Sequence, residues 1–207
     1  MDKKNPRIPY PLRGHSRHHV VHLRCLPPVI LTFVALSLLA VSCAPATPKP
    51  DLARGASLTL TTFSENSVEV IVKLQRAADG QVSLTATFTP VEAGFHLYSK
   101  DMPRYGLGGL GRPTLLELGE NSKMQALGAL LESARAGISS ADPSGVLIYP
   151  DGPVTLTLPV RLPPGSNWAA EEISLTYMAC SANGCKAPVQ GKVVAIKVPG
   201  AEALSNE

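Results

Sequence analysis

Val68-Glu69-Val70-Ile71-Val72-Lys73-Leu74, then Asp79-Gly80, then Val82-Ser83-Leu84-Thr85-Ala86-Thr87-Phe88, reads as two alternating runs on either side of a turn. In an extended chain successive side chains leave on opposite faces, so apolar residues two apart build one buried face. Val68, Val70, Val72 and Leu74 make such a face, with Glu69, Ile71 and Lys73 opposite. Val82, Leu84, Ala86 and Phe88 make a second, with Ser83, Thr85 and Thr87 opposite. Asp-Gly supplies the turn between them. The pattern returns at Val154, Leu156, Leu158 and Val160, alternating with Thr155, Thr157 and Pro159. It returns again at Ile173, Leu175 and Tyr177, and Val193–Ile196 reads as a strand after it. Period-2 runs separated by turns predict an all-β, antiparallel sandwich. Val70, Val72, Leu84, Phe88, Leu156 and Leu158 belong to its core. Pro90 and Pro159 favour strand ends or edges, because proline has no N–H to donate.

One stretch departs from this rhythm. Met124, Leu127, Leu130, Leu131 and Ala134 have helical spacing, among good helix formers and weakened by Gly128 and Gly137. They favour one short helix crossing between strands, with an irregular loop as the alternative.

The N-terminus is of another kind. Lys3, Lys4, Arg7, Arg13, Arg17 and Arg24 face a single acid, Asp2, and precede the 13-residue apolar core Val29–Val41. That is short of the roughly 20 residues a membrane span needs. A basic region and a short apolar core describe a secretory signal. Leu39-Ala40-Val41-Ser42-Cys43 resembles a bacterial lipobox, with Ala40 where that pattern prefers Leu. Residues 1–42 are thus expected to be a lipoprotein signal, with Cys43 the lipidated residue. Residues 43–56 then form an anchor and proline-rich tether, 57–199 the folded domain and 200–207 a disordered tail. An ordinary cleaved signal or an uncleaved anchor is the alternative.

Without residues 1–42 the formal charge falls from +3 to −2, with 13 Lys and Arg against 15 Asp and Glu. No basic patch remains to argue for a nucleic-acid partner. Cys25 leaves with the signal and Cys43 carries lipid, so the folded part keeps one pair, Cys180 and Cys185. An exported chain meets an oxidising compartment, where such a pair is expected to be oxidised at least part of the time.

The pair lies in Tyr177-Met178-Ala179-Cys180-Ser181-Ala182-Asn183-Gly184-Cys185-Lys186-Ala187-Pro188. Asn183-Gly184 is a strong hairpin signal. A two-residue turn there places Ala182 opposite Cys185 and Cys180 opposite Ala187, leaving the thiols diagonal; a longer loop brings them closer. Exchange chemistry needs an accessible thiolate and a second cysteine to resolve the mixed disulfide. The spacing does not separate the roles; Cys180 is taken as the attacking thiol and Cys185 as its resolver. A bridge over so short a loop is a poor staple, since loop-closure stabilisation grows with length. Lys186 could favour a Cys185 thiolate by charge, although adjacent strand positions point apart. By spacing alone, a disulfide that merely pins the hairpin ranks first. A soft metal ion on Cys180, Cys185, Met178 and His96 ranks below it, so no metal and no cofactor is expected. No serine–histidine–acid set stands out. Gly106–Gly111 lacks the Lys-Ser/Thr of a phosphate loop and reads as flexible.

Three pieces in order resemble the N-terminal periplasmic domain of the thiol:disulfide interchange protein DsbD, here as a stand-alone lipoprotein. They are Gly94-Phe95-His96-Leu97-Tyr98-Ser99-Lys100, then Gly111-Arg112-Pro113-Thr114, then Leu175-Thr176-Tyr177-x-x-Cys180-x4-Cys185-x-x-Pro188. The resemblance spans most of Leu58–Pro199 and implies an immunoglobulin-like sandwich. It implies that Cys180 and Cys185 are a redox pair, with Tyr98 and His96 on a nearby strand shielding it. It also implies electron passage to or from partners, a thioredoxin-like or membrane electron-transfer protein in trans. The family's capping loop usually carries an aromatic residue, and the corresponding Ala136–Val146 has none. That departure implies a more open pair. The expected function is membrane-tethered, extracytoplasmic thiol:disulfide exchange. The alternative is a non-catalytic binding lipoprotein whose Cys180–Cys185 disulfide is structural.

Overall fold

A computed structural model describes residues 52–139 and 145–204. The signal, Cys43 and most of the tether lie outside these residues, as does the centre of the Ala136–Val146 stretch. In chain order the strands are β1 (Ser57–Glu65), β2 (Val68–Arg76), β3 (Val82–Pro90), β4 (His96–Leu97), β5 (Leu115–Leu118), β6 (Gln125–Ala126) and β7 (Leu131–Glu132). Then follow β8 (Gly137–Ile138), β9 (Leu147–Ile148), β10 (Val154–Arg161), β11 (Trp168–Tyr177), β12 (Ala179–Ser181), β13 (Gly184–Cys185) and β14 (Val189–Pro199).

One sheet runs β1-β2-β3-β10-β6, with β7 also on β10; the other runs β14-β11-β5. Pairing among these strands is antiparallel throughout. The alternation of the sequence is the burial pattern of the strands. Val68, Val70, Val72 and Leu74 are buried with partly exposed residues between them, and so are Val154, Leu156, Leu158 and Val160. Register carries this across the sheet, with Val70 opposite Phe88 and Phe88 opposite Val154. Ile173, Leu175, Tyr177, Ile196 and Val198 of the second sheet close the same core. The result is the expected antiparallel sandwich. Pro90 ends β3, and Pro159 sits in β10 between the residues that β6 and β7 pair with.

The short helix is not there. Among the described residues no α-helix forms, and the stretch with helical spacing becomes β6 and β7. β10 would otherwise present an open edge, whose backbone groups must find partners. Leu127 N–H donates to Pro159 O at 2.9 Å and Ser133 N–H to Thr155 O at 2.9 Å. Met124 is buried, with Leu130 and Ala134 packed against the same core, while Leu127 and Leu131 are exposed, so the five apolar residues do not make one buried stripe.

Of the tail 200–207, residues 205–207 lie outside the described residues, and those before them are folded. Ala201–Ala203 forms a 3-10 turn and Leu204 is buried. The buried Arg76 guanidinium donates to Leu52 O at 3.0 Å and Leu204 O at 2.6 Å, fastening both ends to β2. No helix of the described residues is long and apolar enough to cross a membrane.

Candidate functional site

A separate three-stranded sheet, ordered β13-β12-β4, carries both cysteines. β12 continues directly from β11 past Met178, so the second sheet of the sandwich aims it. Cys180 lies directly opposite Cys185 and the two form a disulfide with Cα atoms 4.0 Å apart. The diagonal arrangement predicted from an Asn-Gly turn is therefore off by one residue. Ser181 pairs with Gly184, which leaves Ala182 and Asn183 as the turn. The cause is local. Asn183 N–H donates to Ser181 Oγ at 3.2 Å, a serine turn that makes Ser181 the first residue of the bend. The positive φ then falls on Gly184 alone.

Position within this small sheet makes the two sulfurs unequal. β12 is central, with β4 on one side and β13 on the other. Cys180 is 2% exposed and packs with Tyr98, Met102 and Val146, with Leu147, Ile148 and Met178 around them. Cys185, on the outer strand, is exposed. Burial therefore separates the two sulfurs where spacing did not: Cys185 faces solvent and Cys180 faces the packed side chains.

His96 and Tyr98 lie beside the pair, in β4 and immediately after it. His96 is opposite Cys180 in register, and its ring meets the Tyr98 ring edge-on at 5.5 Å. Tyr98 is held from several sides. Its backbone bridges Pro113 and Ile148. Its carbonyl accepts the Thr114 hydroxyl at 2.7 Å and the Thr114 N–H at 3.2 Å. Gly111 allows the ring to lie flat against the chain, since a Cβ there would be 2.9 Å from ring carbons. Arg112 fixes the loop that the glycines left loose on paper. Its Nη1 donates to Tyr105 O, Gly109 O and Gly111 O at 2.9, 3.0 and 2.6 Å. The Gly111–Thr114 motif thus acts as the seat of Tyr98.

Met102 and Val146 had no signal in the sequence. Neither belongs to a periodic run, and both reach Cys180 only through tertiary packing. Leu147 N–H donates to Met102 Sδ at 3.4 Å, which ties the two segments. Among the described residues, cover over Cys180 comes from Tyr98, Met102 and Val146. Lys186 does not stand free beside Cys185. Its ammonium pairs with Glu92 at 2.7 Å and sits 4.9 Å from the Phe95 ring centre. Those side chains and Cys185 line an open groove of about 510 Å³. Among the described residues no group of three His, Cys, Asp or Glu could hold a metal ion.

No family model and no curated protein matches the chain. Among solved structures it is similar to the crystal structure of the Neisseria meningitidis DsbD N-terminal domain in the reduced form. The TM-score is 0.39 and the identity 17%, over 66% of this chain and 87% of that one.

Proposed function

We propose that this protein is a thiol:disulfide exchange protein of the cell envelope, tethered through a lipid on Cys43 and working through Cys180 and Cys185. One observation carries the reading: a disulfide on a hairpin, with one sulfur exposed and the other packed among Tyr98, Met102 and Val146. In the reductive direction a partner thiolate attacks Cys185 Sγ and breaks the bridge. Cys180 leaves as a thiolate and takes up a proton, and the partner's second thiol then releases Cys185 as a thiol. Two electrons and two protons have passed, and the partner holds the disulfide. The reverse sequence reduces a partner. His96 and Tyr98 shield the inner sulfur, so that exchange proceeds through Cys185. The partner is a dithiol protein of thioredoxin type or a membrane electron carrier, acting in trans.

The test is equilibration with glutathione buffers, read by mass after acid quench and alkylation. Working pairs have potentials above about −300 mV, and structural bridges lie below it. Cys180→Ser should trap a partner through Cys185, and Cys185→Ser should trap far less. A bridge that stays oxidised in strongly reducing buffer, with neither variant trapping a partner, returns the protein to a binding role with a structural disulfide.

A further inference from the structure

The hairpin that carries Cys185 is gripped from the side by another hairpin, through polar side chains. β1 and β2 are joined by Asn66 and Ser67 alone, because Glu65 pairs with Val68. Both residues have left-handed backbone, φ 50° and 62°. That is the tight turn whose twist fits paired strands, and glycine suits its second position. Asparagine tolerates such a backbone, whereas serine adopts it at a steric cost. Strain of this kind persists where the surroundings hold it in place.

The Ser67 side chain shows what holds it. Its hydroxyl donates to Glu92 Oε1 at 2.5 Å. The same oxygen takes the Lys186 ammonium at 2.7 Å. Asn66 Nδ2 donates to Ala187 O at 2.9 Å. The turn thereby holds both residues that follow Cys185, one directly and one through Glu92. Glu92 and Lys186 are the charged side chains lining the groove beside Cys185. His96 lies across β12 from it, with Tyr98 against His96.

We propose that Ser67 and Glu92 are positioning residues that set the charge felt at Cys185. Glu92, fixed by Ser67, holds and neutralises the Lys186 ammonium at the lip of the groove. The exposed sulfur then reacts beside a closed ion pair instead of a free cation. This rests on the reading of Cys185 as the reacting sulfur. Lys186 and Ser67 hold the Glu92 carboxyl below its ordinary range, so the pair is closed at neutral pH. A freed ammonium favours the thiolate, and a freed carboxylate disfavours it. Losing one partner or the other therefore moves Cys185 in opposite directions.

The full chain with Cys25→Ser, Cys43→Ser and Cys180→Ser leaves Cys185 as the reporting thiol. Its rate of alkylation by iodoacetamide, followed against pH, gives the thiol midpoint. Glu92→Gln should lower that midpoint by about half a pH unit and Lys186→Gln should raise it by a similar amount, the effect of one unit charge across an exposed groove. The double variant should return close to the reference. Ser67→Gly should move the midpoint as Glu92→Gln does, but less, while the melting temperature holds or rises because glycine relieves the turn. A purely structural clamp would move both charge variants the same way. Shifts of equal sign, or no shift in either, overturn the proposal. The assay uses no partner and no bridge, so its result is independent of the glutathione equilibrium that tests the exchange reading.

Discussion

Reducing the Cys180–Cys185 bridge should leave the sandwich folded and lower its stability by only about 2 kcal/mol. The bridge closes a loop of sequence separation 5. On the chain-entropy model a loop of that length is worth about 2 kcal/mol, against about 3 for fifteen residues. Other restraints on the hairpin survive reduction. Lys186 N–H still donates to Ala179 O at 2.9 Å, Asn66 still holds Ala187, and β12 stays paired with β4. The main core, with Val70, Val72, Leu84, Phe88 and Leu156 all fully buried, belongs to strands the bridge does not touch. In a domain of this size each kcal/mol moves the melting temperature by about 2–4 °C, so reduction should cost about 4–8 °C. The measurement is circular dichroism melting of the oxidised protein and of the same sample in dithiothreitol. Far-ultraviolet spectra at 25 °C should superimpose. Loss of the β spectrum on reduction, or a drop several times larger, would refute the argument. It would show that the bridge carries the fold and is no working disulfide.

Three further outcomes follow from the residues described. Cys43→Ser should move the exported protein from the membrane fraction to the soluble fraction, and unchanged retention would remove the lipid anchor from the reading. Arg76→Met should lower stability in urea by about 2–4 kcal/mol, because two charge-assisted hydrogen bonds to Leu52 O and Leu204 O are lost and both carbonyls stay near the core. Burial raises the Tyr149 and Tyr177 phenols well above their ordinary range, with the Glu132 hydrogen bond adding to the effect at Tyr149 and the Glu65 charge at Tyr177. Both fold as neutral phenols, so their contribution is intact below the unfolded value near 10 and is lost as pH rises above it. Tyrosinate absorbance at 295 nm should show these two ionising only as the protein unfolds. Normal titration of both with the fold intact would contradict their burial.

The sandwich was legible because alternation is a property of neighbouring residues. A strand with one dry face must place its apolar residues two apart, so Val68 to Leu74 and Val154 to Val160 announce both the strand and its inner face. The helical spacing at Met124–Ala134 failed for the complementary reason. Those residues were decided by the open edge of β10, which the local sequence cannot express. The Cys180/Cys185 pair was equally legible as a pair, because spacing and a hairpin need only the residues between them. Its register was not, since one hydroxyl, Ser181 Oγ, moved the turn by a residue.

What the sequence could not say at all was which sulfur faces outward. That depends on β12 lying between β4 and β13, and on Met102 and Val146 arriving from segments 78 and 34 positions away from Cys180. The partner of Lys186 is of the same kind. Glu92 pairs with it, and Ser67 bonds that same Glu92 oxygen, only after two hairpins from different sheets come side by side. Backbone periodicity and spacing are written along the chain. Exposure and charge at a site are sums over residues distant in sequence, and only the folded arrangement brings those residues within reach.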